Sequence, residues 1–379
     1  MEGKAVERME SKVVDLAAEL VSIPSYEREE ELARFLARRL RAIGFEVSLE
    51  EVEPGRPNLI AHLPGKGKTL MFCGHMDTVP PDSPDQLRPR VEGGRLYGRG
   101  ACDMKGALAA MVCALEALTR EGPAGPLLFL ATVGEETGFL GMRRFMARHR
   151  DRIAGCIVGE PTSLEVGIAH KGGAWIELTT IGRPAHGSTP ERGVNAVYYM
   201  ALLVRAIQEE LAAALRERPH PLLGPGTVNV GLIRGGTRPN VVPARCTIQV
   251  DRRLLPGETP EGATEELRAL VGNLKREHPE LAVEMRLVQS YPPLEVGTDE
   301  PVVRAVIGAC RAVRGKEPEL VGLSYGTDGA LSRAGGIPTV ICGPGSATQA
   351  HTEGESVDVA ELVAATHIYV EAASRFLEG

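Results

Sequence analysis

The feature that most constrains the fold is an alternation of strands and helices that a different pattern interrupts. Apolar runs typical of buried strands, such as Thr69–Gly74, alternate with segments of helical periodicity, such as Met104–Leu118. The alternation resumes late in the chain and ends in a helix predicted over Val359–Phe376. Strands and helices in alternation build a mixed, largely parallel sheet flanked by helices. We therefore predict a discontinuous α/β domain formed by residues 1–173 and 290–379.

The interrupting block has the order β-α-β-β-α-β, which is typical of a split βαβ, ferredoxin-like domain. Its predicted elements are Ala174–Ile181, Val194–Leu215, Thr227–Ile233, Cys246–Arg252, Pro260–Glu277 and Leu281–Val288. About 115 residues are enough for a small domain with its own core. We therefore predict an α+β domain inserted at residues 174–289.

Composition limits the partners and the location of the protein. A net charge of −7 and a pI near 5.8 argue against nucleic acid as a partner. No apolar stretch reaches the roughly 18–20 residues that span a bilayer, and the first residues lack the apolar core of a signal peptide. A cytoplasmic location away from membranes is therefore expected. The seven cysteines form no C-x-x-C pair, which predicts buried apolar side chains rather than a thiolate zinc site.

Acidic and histidine residues follow several predicted strands. They are His75, Asp77, Asp103, Glu135, Glu136, Glu160 and His351. Because the carboxyl ends of parallel strands meet at one edge of a sheet, we expect five such clusters to converge there. Taken singly, three of the clusters have a simpler interpretation: a helix cap for Asp103, a helix-dipole contact for Glu135 and Glu136, and a turn histidine for His75. Their agreement favours a metal site, because two histidines and three carboxylates suit Zn²⁺, Co²⁺ or Mn²⁺.

These motifs resemble the M20 metallopeptidase family, which includes acetylornithine deacetylase, succinyl-diaminopimelate desuccinylase, aminoacylase and carboxypeptidase G, and the similarity covers nearly the whole chain. The resemblance implies a catalytic domain of the zinc-peptidase type that binds two Zn²⁺ ions, with Co²⁺ or Mn²⁺ as substitutes. The implied ligands are His75 and Glu160 for one ion, Glu136 and His351 for the other, and Asp103 as the bridge between them.

The resemblance also implies roles for residues beside the ligands. Asp77 would orient His75, Glu135 would act as general base, and the Asp103–Met104 peptide bond would be cis. In the implied reaction, Glu135 takes a proton from water, the resulting hydroxide attacks the amide carbonyl, and Glu135 returns the proton to the leaving amine.

The resemblance also implies that the inserted domain serves in dimerisation or as a lid, with contacts to the substrate and to a second subunit. His186 would reach across a homodimer into the partner's site and stabilise the reaction oxyanion, although a lone histidine in a loop is more often a surface residue. Asn240 and Arg252 match the region that binds the substrate carboxylate, for which a planar guanidinium is well suited. Gly326 and Thr327 match a loop near the substrate.

The predicted activity is hydrolysis of an N-acyl amino acid to an acid and a free amine. The segments Gly159–Leu164, Ala169–Gly172 and Gly343–His351 are most similar to the deacetylase branch, so N-acetylornithine is the first expected substrate. Hydrolysis of N-succinyl-diaminopimelate, of other acyl amino acids or of dipeptides stays open, because pockets that differ by small groups cannot be distinguished in one sequence.

Two other classes of function remain as alternatives. The segment Gly322–Gly326 matches the G-x-S-x-G pattern of a serine hydrolase around Ser324, with Asp328 and His351 following in the required order. That interpretation leaves the other acidic clusters unexplained, and Asp328 follows Ser324 too closely to lie at a separate strand end. A non-catalytic ligand-binding protein is the second alternative, although all the expected ligands and the base are present.

Overall fold

The computed structural model describes residues 2–149 and 153–379, with side chains from residue 11 onward. Its internal contacts separate two compact units. The first unit comprises Met1–Ile168, Glu295–Val321 and Thr327–Gly379. The second comprises Ala169–Leu294 and Gly322–Gly326, and the insert predicted at residues 174–289 lies within it.

Helices and strands alternate along most of the chain. Up to residue 181 they are α1 (Glu2–Ser22), α2 (Glu30–Ala42), β1 (Glu46–Glu53), β2 (Arg56–Leu63), β3 (Thr69–His75), β4 (Arg90–Glu92), β5 (Arg95–Tyr97), α3 (Lys105–Glu121), β6 (Leu127–Thr132), α4 (Leu140–Arg148), β7 (Ile153–Val158), β8 (Val166–His170) and β9 (Gly172–Ile181). The later ones are α5 (Ala196–Ala206), α6 (Ala212–Arg216), β10 (Thr227–Gly235), β11 (Arg245–Leu254), α7 (Pro260–Glu277), β12 (Ala282–Tyr291), β13 (Leu294–Glu295), α8 (Pro301–Arg314), β14 (Leu320–Leu323), α9 (Gly329–Ala334), β15 (Thr339–Ile341), β16 (Ser356–Asp358) and α10 (Val359–Glu378).

The main sheet has the order β1-β2-β6-β3-β7-β15-β8-β13, and β14 also pairs with β8. Its centre is parallel, since β3 pairs in parallel with β6 and β7, and β7 pairs in parallel with β15. Helices flank this sheet, so its central strands are buried on both faces and read as continuous apolar runs. The fold class predicted from the sequence is therefore confirmed.

Strands β1 and β2 were not predicted from the sequence. These strands form an antiparallel hairpin at the edge of the sheet, and β1 is only partly buried. Four of the eight residues in β1 are glutamates, so the strand lacks the apolar run by which the central strands were predicted.

The second unit contains one antiparallel sheet in the order β10-β11-β9-β12. Alternate residues of β9 and β11, such as Ile176 and Ile248, form a core with the apolar faces of α5 and α7. The predicted helix over Val194–Leu215 is a run of α5 and α6 joined by a π-helical turn at Ile207–Leu211. This arrangement is the ferredoxin-like fold that the β-α-β-β-α-β order predicts.

All seven cysteines are buried and free, as their apolar neighbours predicted. Cys310 and Cys342 come within 3.9 Å of each other at their sulfur atoms. No helix in the described part of the chain is long and apolar enough to cross a membrane.

His170, in the second unit, is fully buried, and its environment predicts an acid-sensitive fold. Its Nδ1 atom lies 2.9 Å from the carbonyl oxygen of Lys171, which can only accept, so Nδ1 carries the proton. The Nε2 atom is buried with no hydrogen-bond partner. Burial lowers the pKa of His170 to about 4, because the charged imidazolium would lose its hydration.

We predict that His170 contributes to unfolding at mild acid pH. Because its folded pKa lies below the unfolded value of about 6.5, the stability due to neutral His170 is present above pH 6.5. It is lost as the pH falls towards 4, by about 3 kcal/mol in total. Urea unfolding of the metal-free protein at pH 7 and pH 5 measures this loss. The His170→Asn variant should lose less stability than the wild type, and an equal loss in both would contradict the assignment.

Candidate metal centre

The carboxyl ends of the parallel strands bring together most of the residues predicted from the sequence. Strands β6, β3, β7 and β15 are neighbours in the sheet and point in one direction. His75 is the last residue of β3, Glu135 and Glu136 follow β6, and Glu160 follows β7. His351 lies in the loop after β15. Four of the five expected clusters therefore follow the carboxyl ends of neighbouring parallel strands, at one edge of the sheet.

Asp103 reaches the same place by another route, which corrects the expectation of five main-sheet strands. It follows β5, which belongs to a separate three-stranded sheet with β4 and β16. Its carboxylate contacts two histidines, so it does not serve as the cap of α3. The Asp103–Met104 peptide bond is cis, as the family resemblance implied.

Gly343 shows why the loop that leads to His351 begins with glycine. A Cβ atom at this position would overlap the carbonyl oxygen of Gly159 and lie 2.6 Å from that of Glu160. Because both obstacles are backbone atoms, a larger residue would displace the loop from the end of β7. The approach of this loop to Glu160 therefore depends on the missing side chain.

The carboxylate of Asp103 lies between two histidines. Its Oδ1 atom is 2.9 Å from His75 Nε2, and its Oδ2 atom is 3.3 Å from His351 Nε2. Each histidine also approaches one glutamate, at 3.6 Å between His75 Nε2 and Glu160 Oε1 and 2.8 Å between His351 Nε2 and Glu136 Oε1. These four contacts form two histidine–carboxylate sets that share Asp103, which are the candidate ligand sets.

Glu136 lies close to both ligand sets. Three residues, His75, Asp103 and Glu136, each offer one ligand atom. These three atoms lie within 4.8 Å of one another, a spacing that fits one metal ion. The shorter contact of Glu136, at 2.8 Å, is nevertheless to His351. The contact distance therefore favours pairing Glu136 with His351, although the two sets are compact enough to overlap.

The tautomer of His75 supports a cation at this position. Its Nδ1 atom lies 2.9 Å from the carbonyl oxygen of Asp77, so Nδ1 donates, and the Nε2 atom of the neutral ring presents a lone pair. This lone pair faces Asp103 Oδ1 at 2.9 Å. A lone pair and a carboxylate oxygen that face each other require a shared cation, which is either a proton or a metal ion.

The pKa shifts of the buried side chains also indicate that a cation is needed here. Burial favours the neutral imidazole of His75, but the hydrogen bond to Asp103 and the charge of Glu160 outweigh it and raise the His75 pKa well above its usual range. Burial also raises the pKa of Glu160, and the charge of Asp103 adds to this effect. Two histidines and three close carboxylates form a donor set that fits two divalent ions of the zinc type.

Asp77 contacts the predicted base loop more closely than it contacts His75. Its carboxylate accepts the backbone N–H groups of Glu135, at 3.1 Å, and Glu136, at 3.0 Å. The distance from His75 Nδ1 to Asp77 Oδ1 is 3.7 Å, longer than the 2.9 Å to the Asp77 carbonyl oxygen. Asp77 therefore positions both strand ends, and its backbone rather than its carboxylate forms the hydrogen bond with His75.

Glu135 is buried beside the two histidine–carboxylate sets, but it is not among the carboxylates closest to His75 or His351. Burial raises its pKa well above the usual range, and the nearby charges of Glu160 and Asp328 act in the same direction, against His75. Asp328 is also buried, and its Oδ2 atom accepts a hydrogen bond of 2.5 Å from Thr132. Burial raises the pKa of Asp328 to about 6. This carboxyl group was not predicted from the sequence as part of the centre.

The loop that carries Glu135 is supported by buried polar residues that the sequence analysis missed. Asn58 donates to the carbonyl oxygen of Gly141 and accepts the N–H of Val133. Glu29 accepts the N–H of Gly134 and forms a bidentate ion pair with Arg56. The sequence holds no periodic signal for these contacts, because they join residues far apart in the chain.

Two predicted residues of the second unit lie next to each other. His186 forms a β-bridge with Val241, and the N–H of Gly187 donates to the carbonyl oxygen of Asn240. His186 is exposed, and its Nδ1 atom accepts the backbone N–H of Ser188 at 3.2 Å. The Nε2 atom of the neutral ring therefore carries the proton and can donate it in a hydrogen bond.

Arg252 does not have the exposed position expected of a substrate contact. Its side chain is 1% exposed and its guanidinium donates to Glu258, Glu266 and the carbonyl oxygen of Arg253. The strand pattern explains this, since Arg252 shares the packed face of β11 with Ile248. Arg253 points to the other face, where it is 31% exposed and bonded to Asp251 and Tyr291.

The predicted loop residues Gly326 and Thr327 have structural contacts. A Cβ atom at Gly326 would overlap the ring of Tyr291, so this glycine allows close packing within the second unit. Thr327 is fully buried in the first unit, and its hydroxyl accepts the N–H of Gly329 at the start of α9. Neither contact supports direct binding of a substrate.

The serine-hydrolase alternative fits the structure poorly. Ser324 lies in a bend after β14, and α9 does not begin until Gly329, so the strand-turn-helix of a nucleophile elbow is not formed. His351 is held by Asp103 and Glu136. The Oδ2 atom of Asp328 is bonded to Thr132.

A sheet with a parallel centre, an inserted α+β unit and two histidine–carboxylate sets define a metal-dependent hydrolase. Comparison with known proteins agrees: the model of peptidase family M20/M25/M40 matches residues 71–375. Acetylornithine deacetylases of Myxococcus xanthus and Proteus mirabilis are each 33% identical to this chain, with 92% of both chains covered in each pair. The chain therefore belongs to peptidase family M20/M25/M40, and it is a metal-dependent hydrolase of amide bonds.

Solved structures have the same fold. The aminopeptidase PepT of Bacillus cereus matches with a TM-score of 0.81 and 25% identity, over 98% of this chain and 99% of that one. A dinuclear metal binding peptidase of the M20 family from Bacillus subtilis matches with a TM-score of 0.77 and 16% identity, again over 98% and 99%.

Proposed function

We propose that the protein removes the acyl group from an N-acyl amino acid, with N-acetylornithine as the first candidate substrate. The observation that carries the proposal is the position of Asp103 between His75 and His351, with Glu135 buried beside them. The acetylornithine deacetylases at 33% identity support the choice of substrate, because they match over nearly the whole of both chains.

We propose two Zn²⁺ ions as the natural cofactors, with Co²⁺ or Mn²⁺ as substitutes. His75 and Glu160 would hold one ion, Glu136 and His351 the other, and Asp103 both. When bound, the two ions would supply an activated water molecule and polarise the amide carbonyl. A mixed set of imidazole and carboxylate donors supports this choice of metals.

The chain's own groups would move the protons. Glu135, whose pKa is raised by burial, is suited to accept a proton from water and return it to the leaving amine. Asp77 would hold Glu135 in place through the backbone N–H that its carboxylate accepts. The exposed Nε2–H of His186 is suited to donate to the oxyanion, and the family resemblance gives it this role in a partner subunit's site.

If the second unit contacts the substrate carboxylate, Arg253 is a better candidate than Arg252. Its side chain is partly exposed, and Asp251 fixes its orientation through two hydrogen bonds. A planar guanidinium can bind a carboxylate with two parallel hydrogen bonds. Asn240 stays a candidate on the strength of its exposed position beside Gly187.

A substrate panel tests the proposed activity. The metal-loaded enzyme would be assayed with N-acetylornithine, N-succinyl-diaminopimelate, other acetyl amino acids and short peptides, each with Zn²⁺, Co²⁺ and Mn²⁺. Acetate release that is fastest from N-acetylornithine supports the proposal. Peptide cleavage is the second candidate, because an aminopeptidase of this fold matches nearly the whole chain, and faster cleavage of peptides would replace the first choice. Binding without turnover of any compound would favour the ligand-binding alternative.

We propose that the protein forms a homodimer through the second unit. Strand β10 is an edge of its sheet, and this strand exposes Leu232 at 49% and Ile233 at 59%. Tyr198, on α5, is 72% exposed. Exposed apolar residues beside an unpaired strand edge are typical of a surface that a second copy covers.

The dimer is predicted to dissociate when a charge is placed on β10. Ile233→Lys should convert a species of about twice 40.5 kDa into one of 40.5 kDa, as measured by sedimentation equilibrium. Exposed Val91 of the first unit provides the control, since Val91→Lys should leave the mass unchanged. A wild type that sediments as a monomer at all concentrations would contradict the proposal.

The proposed location is the cytoplasm, and the proposed place in metabolism is amino-acid biosynthesis, specifically that of arginine if the substrate panel identifies N-acetylornithine. The substrate panel described above therefore also tests the proposed place in metabolism. All seven cysteines are free thiols, which supports a reducing compartment such as the cytoplasm.

A further inference from the structure

Glu355 lies in the loop that carries His351, and its carboxylate binds a different loop. The residue is 2% exposed. Its Oε1 atom accepts three backbone N–H groups, from Gly100 at 2.9 Å and from Cys102 and Asp103 at 3.1 Å each. Its Oε2 atom accepts Nη1 of Arg99 at 2.6 Å. One buried carboxylate therefore binds the whole segment that leads to Asp103.

This contact fixes the backbone of Asp103 while the carboxylate of Asp103 stays free for the two histidines. Three N–H groups that converge on one oxygen form an anion-binding concavity, in which a full negative charge is the best-matched partner. Gly100 allows the turn because its φ angle of +83° lies in the left-handed region that favours glycine. The position of Asp103 thus depends on a charge contributed by the His351 loop.

The His351 loop is held from the other side as well. Gln86 donates to the carbonyl oxygens of Thr352, at 3.0 Å, and Glu353, at 2.9 Å. His351 itself has a φ angle of +62°, which residues other than glycine rarely adopt, so this loop needs such support. The buried Glu355 side chain is then the link between a loop braced by Gln86 and the loop of Asp103.

We propose that Glu355 is a positioning residue that sets the spacing between Asp103 and His351, and hence the affinity of the centre for both metal ions. It acts through Asp103 and touches neither ion. The inference rests on the proposed assignment of Asp103 and His351 as ligands. Partners that orient metal ligands typically change metal affinity by about 10–100-fold when they are removed.

A partly buried glutamate with similar contacts, 17% exposed at its side chain, provides a control. Glu165 also pairs with an arginine, Arg314 at 2.8 Å, and also accepts a backbone N–H, from Glu319 at 2.6 Å. Among the described residues, none of the hydrogen-bond partners of its carboxylate belongs to the loops of Asp103 or His351. Glu165→Gln therefore reports the general cost of removing such a charge, whereas Glu355→Gln reports the effect on the centre.

The test measures metal binding rather than turnover. Full-length wild type, Glu355→Gln, Glu165→Gln and His351→Ala would be stripped of metal and titrated with Zn²⁺ against a chromophoric chelator and with Co²⁺ by visible absorption. The melting temperature of each metal-free protein would be recorded as well. Glu355→Gln should weaken both ions by about 10–100-fold and alter the Co²⁺ spectrum. Glu165→Gln should lower only the melting temperature.

The outcomes separate the inference from the proposed centre. If His351→Ala binds two ions as tightly as the wild type, the ligand assignment is wrong and the inference fails with it. If His351→Ala loses an ion but Glu355→Gln binds both as the wild type does, only the inference is overturned. Should Glu355→Gln not fold, Arg99→Lys replaces it. That variant keeps a cation beside Glu355 but loses the contact with Asp82, so a smaller loss of affinity is expected and unchanged affinity overturns the inference.

Discussion

Replacing Glu135 with glutamine should lower kcat by about 10²–10⁴-fold, the usual contribution of a general acid–base group, and should leave the bound metal unchanged. Glutamine keeps the shape of the buried side chain but cannot accept the proton of the attacking water. The two histidines and their closest carboxylates do not include Glu135, so the ligand sets stay complete. Steady-state kinetics with metal analysis of the same preparation measure both effects.

The neighbouring Glu136→Gln variant is the contrasting control. Glu136 lies 2.8 Å from His351, so its change should reduce metal content as well as turnover. The two adjacent glutamates would then differ in the property that separates a base from a ligand. Turnover of Glu135→Gln within tenfold of the wild type would show that another group accepts the proton, and the buried Asp328 would become the next candidate.

Replacing Asp103 with alanine should lower the affinity for both ions by more than about 100-fold. Loss of a partner that only orients a ligand costs about 10–100-fold, and Asp103 contacts both histidines itself. Its removal also leaves His75 and Glu160 without the carboxylate between the two ligand sets. Activity should fall at least as far as in Glu135→Gln, and the fall should be partly reversed at high metal concentration.

Metal stoichiometry distinguishes this effect from a general loss of structure. His351→Ala should lose mainly one ion, since His351 contacts only one glutamate and one oxygen of Asp103. Asp103→Ala should lose both. Circular dichroism of the metal-free proteins should be the same for the wild type and the two variants. Retention of two tightly bound ions by Asp103→Ala would contradict the bridging role.

The sequence by itself predicted the central strands and helices and most of the residues that meet at the candidate centre. Central strands such as β3 and β6 are buried on both faces, so each forms an apolar run that can be recognised in the sequence. The acidic residues at the ends of these strands can be recognised because they directly follow such a run. The β-α-β-β-α-β order likewise predicted an inserted unit. The alternation of β11 also places Arg252 on the packed face, so an exposed position for this side chain could have been excluded from the sequence.

Only the tertiary structure decided which loops meet and what holds them. Asp103 follows strand β5 of the small three-stranded sheet. Its place between His75 and His351 depends on Glu355, which lies about 250 residues after Asp103 in the chain. No periodicity relates residues so far apart, because a buried hydrogen bond specifies only its two partners and leaves no pattern along the chain. The sequence therefore predicted the residues that could bind metal, whereas the distances between them follow from contacts that form only when the chain folds.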